Sequence, residues 1–140
     1  MTTEELFMEM LASKAAAGLS RTFVKERLSK WGLFHISGDA LLITAELVTN
    51  AVKTSPWGAP IKLRLSRDTD GVLLEVWDSS DEMPTVRPVV ELTLDELDLS
   101  PENFDDNGGR GLPIVQALAA ECGIRKTDPH GKWVWARLKG

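Results

Sequence analysis

Two short runs of the sequence, residues 46–51 and 108–113, most constrain what this chain can fold into. Glu46 and Asn50 are four residues apart, so on a helix their side chains project from the same face. A carboxamide oxygen is a neutral ligand for Mg²⁺, and a carboxylate can accept a proton from a hydroxyl group or water. The helix itself is predicted by apolar residues at helical spacing, namely Leu41, Leu42, Ala45, Val48 and Val52.

The second run is rich in glycine and leads into another apolar helical stretch. Glycines within 108–111 allow backbone N–H groups to approach a ligand closely, and Pro113 suits the first turn of a helix over 114–118. A helix N-terminus behind such a loop is a binding site for anions. Asp78, which closes an apolar run between these two motifs, completes a predicted pocket for a Mg–nucleotide.

The remaining pattern predicts helices alternating with short strands. In the N-terminal half we first expect an edge strand or a helical start over 6–11. A helix capped by Ser13 should follow and end near Gly32. The motif helix should then be capped by Ser37 or Asp39 and end near Pro56. After it we expect strands over 61–65 and 72–77 around the turn at Asp70 and Gly71, a helix with Gly123 as its C-cap, and strands over 124–127 and 132–138. This order predicts an α+β two-layer sandwich with helices on one face of a mixed, largely antiparallel sheet.

Composition limits the class of protein. A chain of 140 residues is expected to be one domain, 1–140, that buries about 68–70% of its unfolded surface. No apolar run reaches the roughly 20 residues of a membrane span, and the single cysteine, Cys122, fits a reducing cytoplasm. The net charge of −5 argues against direct binding to nucleic acid, which needs a basic face. We therefore expect a cytoplasmic protein without membrane or nucleic-acid partners.

From about Phe23 to Leu138 the sequence resembles the GHKL superfamily of ATP-binding domains, which includes gyrase, the chaperone Hsp90, sensor histidine kinases and MutL. Residues 46–51 match the N box of that superfamily, 76–78 the entry to its G1 box, and 109–112 its G2 box. Among its branches, the chain looks most like the small bacterial anti-sigma factor serine/threonine kinases. The resemblance implies the Bergerat-type ATP-binding fold.

The resemblance also implies roles for individual residues. Glu46 would be the general base that deprotonates a serine or threonine of an anti-anti-sigma factor, Asn50 would hold Mg²⁺, and Asp78 would accept a hydrogen bond from the adenine amino group. A regulator of this type sequesters a sigma factor when its antagonist is phosphorylated. The nucleotide phosphates would lie near Gly108, Gly109, Arg110, Gly111 and Leu112, with Arg110 and Lys53 as either phosphate contacts or solvent-exposed side chains.

Three positions depart from the family pattern. Ser80 stands where relatives usually have a glycine beside the base. Lys132 and Trp133 stand early in the last strand, where relatives tend to carry a threonine. These departures keep a second hypothesis open, in which the chain is a partner-binding switch of the same fold with little or no phosphotransfer.

The segment from Ser79 to Asn107 is too long for an ordinary connection. Between Glu91 and Asp106 it carries seven acidic residues and no basic one. By its position it corresponds to the ATP lid of the superfamily, and the alternative is a solvated loop.

The predicted sheet has one face that is not uniformly apolar. Trp77, Trp133 and Trp135 alternate there with charged residues, which is the composition of an interaction surface. We expect a homodimer or partner contact on this face. The alternative is that the N-terminal segment folds over the tryptophans.

Overall fold

A computed structural model of the protein describes residues 4–80 and 111–140, without the side chains of 111 and 112. The strands are β1 (Glu4–Leu11), β2 (Pro60–Arg67), β3 (Gly71–Asp78), β4 (Glu121–Lys126) and β5 (Lys132–Lys139). The helices are α1 (Ala16–Lys30), α2 (Ser37–Thr54) and α3 (Gly111–Leu118), and a 3₁₀ turn over Phe34–Ile36 precedes α2.

The five strands form one sheet in the order β1-β2-β3-β5-β4. All four pairings between these described strands are antiparallel. α2 contacts α1, α3, β3 and β5, so it lies at the centre of the helical layer. The predicted two-layer α+β sandwich is confirmed, and β1 is the edge strand that the sequence offered as one of two alternatives.

The core lies between the helices and one face of the sheet. Successive side chains of a strand point to opposite faces, and the side chains that face the helices are almost completely buried. From α1 and α2 the most deeply buried apolar residues are Val24, Leu28, Ile43 and Val48. The sheet contributes Ile61, Leu63, Leu65, Val72, Leu74, Val76, Val134, Ala136 and Leu138.

The predicted helix caps at the N-termini are wrong. α1 begins at Ala16 with Ala15 in the cap position, and only the backbone carbonyl of Ser13 takes part, by accepting from the Ala16 N–H. α2 follows the 3₁₀ turn directly, so the cap position is Ile36, and neither Ser37 nor Asp39 caps it with a side chain. In both places a carbonyl of the preceding turn replaces the side-chain acceptor that the sequence suggested.

Gly123 was predicted as a helix C-cap and instead lies within β4, since α3 ends at Leu118. It is opposite Trp135 in the register of β4 and β5. A Cβ at position 123 would lie 2.7 Å from Cζ2 of Trp135. The glycine therefore serves the sheet, because it leaves room for the indole ring to lie across the neighbouring strand.

The turns that stop α1 and join β2 to β3 agree with the predictions. Gly32 follows α1 with a φ of 73°, which favours glycine. In the hairpin, Oδ1 of Asp68 accepts from the N–H groups of Asp70 at 2.9 Å and Gly71 at 3.0 Å. Among the helices of the described residues, none is long and apolar enough to cross a membrane.

Candidate nucleotide site

α2 carries the first two predicted site residues where the helix meets both the sheet and α3. Asn50 is buried, with 8% of its surface exposed, and Glu46 is half-buried one turn earlier. α2 contacts β3, which ends at Asp78, and α3, which begins at Gly111. α2 thus packs against the two elements that carry Asp78 and Gly111.

The side chain of Asn50 has no hydrogen-bond partner among the residues that the structure describes. Its backbone carbonyl is used within the helix, where it accepts from Oγ1 of Thr54 at 3.3 Å. Its polar atoms are not among the fully buried atoms that lack a hydrogen bond within the described residues, so the carboxamide reaches the protein surface, where a ligand can contact it. An amide oxygen of this kind fits Mg²⁺, which takes oxygen ligands and usually needs only one or two from the protein.

The environment of Glu46 suits a general base. Burial raises the pKa of Glu46 above its ordinary value, and the positive charge of Lys53 opposes that shift. A carboxylate with a raised pKa holds an abstracted proton more readily. Lys53 itself is exposed and lies two helical turns after Glu46 on α2. Its effect on the pKa of Glu46 is therefore electrostatic.

Asp78 ends β3 with its side chain toward the helices, and only 2% of the residue is exposed. Oδ1 accepts from the Ser80 N–H at 2.9 Å and from Nζ of Lys132 at 2.9 Å. Burial raises the pKa of Asp78, and the Lys132 ammonium and the Ser80 N–H oppose the increase. The other oxygen, Oδ2, accepts no hydrogen bond from the described residues, so it is the atom that fits an amino group of a base.

Lys132 was not predicted as a site residue. From the sequence it was noted only because it lacks the hydroxyl group that relatives tend to carry early in the last strand. It is 1% exposed, and its Nζ also donates to the Ser80 carbonyl at 3.2 Å. One signal was available: Lys132 has the same parity as Val134 and Ala136, which face the core. The register that sets Lys132 opposite Asp78 could not be read from the sequence.

The glycine-rich motif is described only from its last residue. Gly111 begins α3 and Leu112 follows in the same helix, whereas Gly108, Gly109 and Arg110 lie outside the described residues. The predicted lid also lies outside them from residue 81 onward. Within the described ranges, no cluster of three His, Cys, Asp or Glu side chains could hold a metal ion.

On the opposite face of the sheet, the structure groups the three predicted tryptophans. We call the side chains of Lys62, Arg64, Glu75, Trp77, Trp133, Trp135 and Arg137 the tryptophan face; their shared side follows from the strand registers. Nζ of Lys62 lies 4.6 Å from the Trp77 ring centroid, and Cζ of Arg64 lies 4.6 Å from that of Trp133. The described N-terminal segment is β1, which lies beside β2 rather than over the tryptophans.

The tryptophan face has one buried charge, and it is fully paired. Glu75 is 3% exposed and binds Arg64 at 2.8 Å and Arg125 at 3.3 Å. The tryptophans themselves stay half-buried. The face is thus an organised aromatic and basic surface that the described helices leave uncovered.

A family model described as the histidine kinase-like ATPase domain matches residues 10–138. The match covers α2, Asp78 and all of β5 except Lys139. No curated protein matches the chain.

Proposed function

The chain belongs to the histidine kinase-like ATPase domain family, and from that premise we propose that it is an anti-sigma-type regulator with protein serine/threonine kinase activity. Its substrate would be a serine or threonine of an anti-anti-sigma factor, and its regulatory target a sigma factor. The observation that carries the proposal is the position of the Asn50 carboxamide, on a largely buried residue one turn after the half-buried Glu46. That pair combines a cation ligand with a general base.

The chemistry follows from the roles of these side chains. Glu46 takes the proton of the attacking hydroxyl group. The hydroxyl oxygen forms a bond to the γ-phosphorus of ATP, and the bond between that phosphorus and the leaving ADP breaks. Asn50 would hold Mg²⁺, which would neutralise the charge of the phosphates. Asp78 orients the base by accepting from its amino group. The N–H groups at the start of α3 are donors for the phosphates.

Phosphorylation of the antagonist would explain the regulatory output. A phosphate adds about −1.5 to −2 charges at neutral pH. The regulator is itself acidic, with a net charge of −5. Repulsion would weaken the complex with the antagonist and leave the regulator free to bind the sigma factor.

The proposal is tested by incubating the purified chain with γ-labelled ATP, Mg²⁺ and a candidate anti-anti-sigma factor. We expect the label to appear on one serine or threonine of that protein and to be absent when EDTA is present. Binding of Mg–ATP without any labelled protein would exclude the kinase and favour the second candidate.

The second candidate is a partner-binding switch that uses the same fold without phosphotransfer. The Asp78–Lys132 ion pair favours this second candidate. The Lys132 ammonium already bonds to one oxygen of the carboxylate that would accept a hydrogen bond from the adenine base. A hydrogen bond to a charged group contributes about 1.5–3 kcal/mol. Although Lys132 bonds to Oδ1, its positive charge offsets the charge of the whole carboxylate and can therefore weaken the hydrogen bond that Oδ2 would accept from the base.

We predict that Lys132→Thr increases the affinity for Mg–ATP about tenfold, since the adenine amino group then meets no competing cation at Asp78. Calorimetry on the folded variant measures this, with Lys126→Thr as a matched control, because Lys126 is the exposed cross-strand neighbour of Lys132. Loss of a buried ion-pair partner can destabilise the fold, so Lys132→Gln, which keeps a donor, is the second variant. Unchanged or weaker binding in a folded variant would show that Lys132 does not compete.

We also propose the tryptophan face as the surface that meets a protein partner or a second copy. Trp135→Glu should abolish that contact with little effect on folding, because the side chain is half-buried on the outer face of β5. Trp57→Glu is the matched control, since Trp57 is 70% exposed and lies outside the sheet. Equal partner affinity and equal solution mass for the two variants would leave the face with a structural role alone.

A further inference from the structure

The tryptophan face has a basic centre that is built around one buried carboxylate. Nε of Arg64 donates to Oε1 of Glu75 at 2.8 Å, and its Nη2 donates to Oε2 at 3.2 Å. Nη2 of Arg125 donates to the same Oε2 at 3.3 Å, and Arg125 lies on this side of the sheet because it is directly opposite Trp133. Glu75 therefore fixes two guanidinium groups close together, and one negative charge balances two positive ones.

Most donors of this arginine pair remain available to a ligand. A guanidinium carries five N–H groups. Arg64 uses two of them on Glu75 and Arg125 uses one, and the others have no acceptor among the residues that the structure describes. The two side chains are 31% and 54% exposed. Accessible guanidinium groups that are already oriented suit the oxygens of a carboxylate.

Trp135 provides an open aromatic surface beside these donors, since it is directly opposite Glu75 in the register of β3 and β5. One side of its ring lies against Gly123, where a Cβ would be 2.7 Å from Cζ2 of the indole. Within the described part of the chain, no cation lies over the Trp135 ring, whereas Lys62 and Arg64 cover the rings of the other two tryptophans. The half-buried Trp135 ring can therefore receive an apolar side chain.

Acidic side chains lie at the margins of the same face. On the β1 side, Glu5 lies 3.9 Å from Arg64, and Glu9 is directly opposite Lys62. A long polyanion such as single-stranded nucleic acid would meet repulsion at these margins, and the net charge of −5 adds to it. A short segment with one or two carboxylates would contact the basic centre alone. At the other margin the acids are Asp68, which binds Arg137 at 2.8 Å, and Glu121, which is opposite Arg137.

We propose that the tryptophan face docks a short acidic segment of a protein partner, in which carboxylates flank an apolar side chain. The carboxylates bind Arg64 and Arg125, and the apolar side chain packs on Trp135. Charge complementarity with the basic centre selects this occupant. A second copy of the chain fits less well, because a two-fold axis through the face would set the two basic centres against each other. The inference rests on the proposed partner contact of this face and does not require phosphotransfer.

Tryptophan fluorescence measures docking locally, because three of the five tryptophans of the chain lie on this face. The probe is a synthetic peptide in which two glutamates flank a leucine–proline pair in a glycine–serine context, and it is titrated without nucleotide. A second peptide has glutamines in place of the glutamates. We expect the acidic peptide to bind about tenfold more tightly at low salt, since each exposed ion pair contributes up to about fivefold. This preference should shrink as the salt concentration rises, and equal binding of the two peptides would overturn the proposal.

Charge reversal separates docking on this face from general attraction. Arg125→Glu should abolish the preference for glutamates and bind most tightly a third peptide, which has lysines in their place. Lys126→Glu is the matched control, because it makes the same change of net charge one residue further along β4. Lys126 is opposite Lys132, so it belongs to the other side of the sheet, and this variant should bind like the wild type. Equal loss of the preference in both variants would overturn the proposal.

A milder variant covers the case in which charge reversal destabilises the fold. Arg125→Gln leaves Glu75 bound to Arg64 and should lower the affinity for the acidic peptide about two- to fivefold. An unchanged affinity in this folded variant would remove Arg125 from the site and overturn the proposed arginine pair.

The remaining outcomes distinguish this inference from the proposed function. Trp135→Glu should abolish peptide binding, whereas Trp57→Glu should not. If Trp135→Glu disrupts a partner contact or self-association while the wild type binds no peptide, the contact stands and the acidic segment is wrong. Tighter binding of a thymidylate dodecamer than of the acidic peptide would also overturn the acidic segment. Docking of the acidic peptide by a chain that transfers no phosphate would uphold this inference and exclude only the kinase.

Discussion

Replacing Glu46 by glutamine should lower the rate of phosphotransfer about 10²–10⁴-fold, the usual contribution of a general base. Glutamine keeps the size of the side chain and its hydrogen bonding, but it cannot accept the proton of the attacking hydroxyl. Affinity for Mg–ATP should therefore be unchanged. The measurement is single-turnover transfer from γ-labelled ATP to the anti-anti-sigma factor, together with a calorimetric titration of each variant.

The pH dependence of the same reaction provides a second readout. Glu46 acts as a base only when ionised, and burial raises its pKa above the ordinary 4.5. The wild-type rate should therefore fall as the pH is lowered through a value above 4.5, and this decline should be absent from the residual activity of Glu46→Gln. Asp39→Asn, which removes an exposed acid from the first turn of the same helix, should keep the wild-type profile. A Glu46→Gln protein with wild-type rate would contradict the assignment of the base.

Replacing Asn50 by alanine should weaken the binding of Mg–ATP about 10–100-fold, because it removes an oxygen ligand of the cation whose contribution we take to equal that of a hydrogen bond to a charged group, about 1.5–3 kcal/mol. The loss should depend on Mg²⁺, so ATP with EDTA should bind both proteins equally. The midpoint of thermal unfolding should change little, because among the described residues only the backbone carbonyl of Asn50, and not its carboxamide, bonds to another side chain.

Thr49→Ala is the control for this substitution, since Thr49 is the exposed neighbour of Asn50 on α2. It should bind Mg–ATP like the wild type. If Asn50→Ala retained full Mg-dependent affinity, the cation would be held elsewhere. A large fall in its unfolding temperature would instead show that the carboxamide has a structural role.

The strands and the main helix could be predicted because their periodicities come directly from burial. Alternating apolar residues in β2, β3 and β5 have one fully buried face, and the helical spacing around Glu46 marks α2. The helix caps could not be predicted in the same way. Their acceptors are backbone carbonyls of preceding turns, and every residue type carries such a carbonyl.

The candidate site was predictable only in its local parts. Glu46 and Asn50 belong to one helix, so their common face follows from the spacing of four residues. The Asp78–Lys132 ion pair spans 54 positions of sequence and depends on the register of β3 with β5. A sequence pattern does not specify that register, so the cation in the predicted adenine site was missed.

Gly123 illustrates the same limit. A glycine soon after a helical pattern usually indicates a C-cap. Here its small size serves a contact across two strands with Trp135.

The most direct test of the account is a calorimetric titration of the wild-type chain with ATP, performed once with Mg²⁺ and once with EDTA. The site described here predicts one nucleotide per chain, with binding that Mg²⁺ strengthens and that Asn50→Ala reduces to the level seen in EDTA. Absence of heat from a folded protein at millimolar Mg–ATP, with no change in its unfolding temperature, would contradict the claim that this pocket binds a Mg–nucleotide.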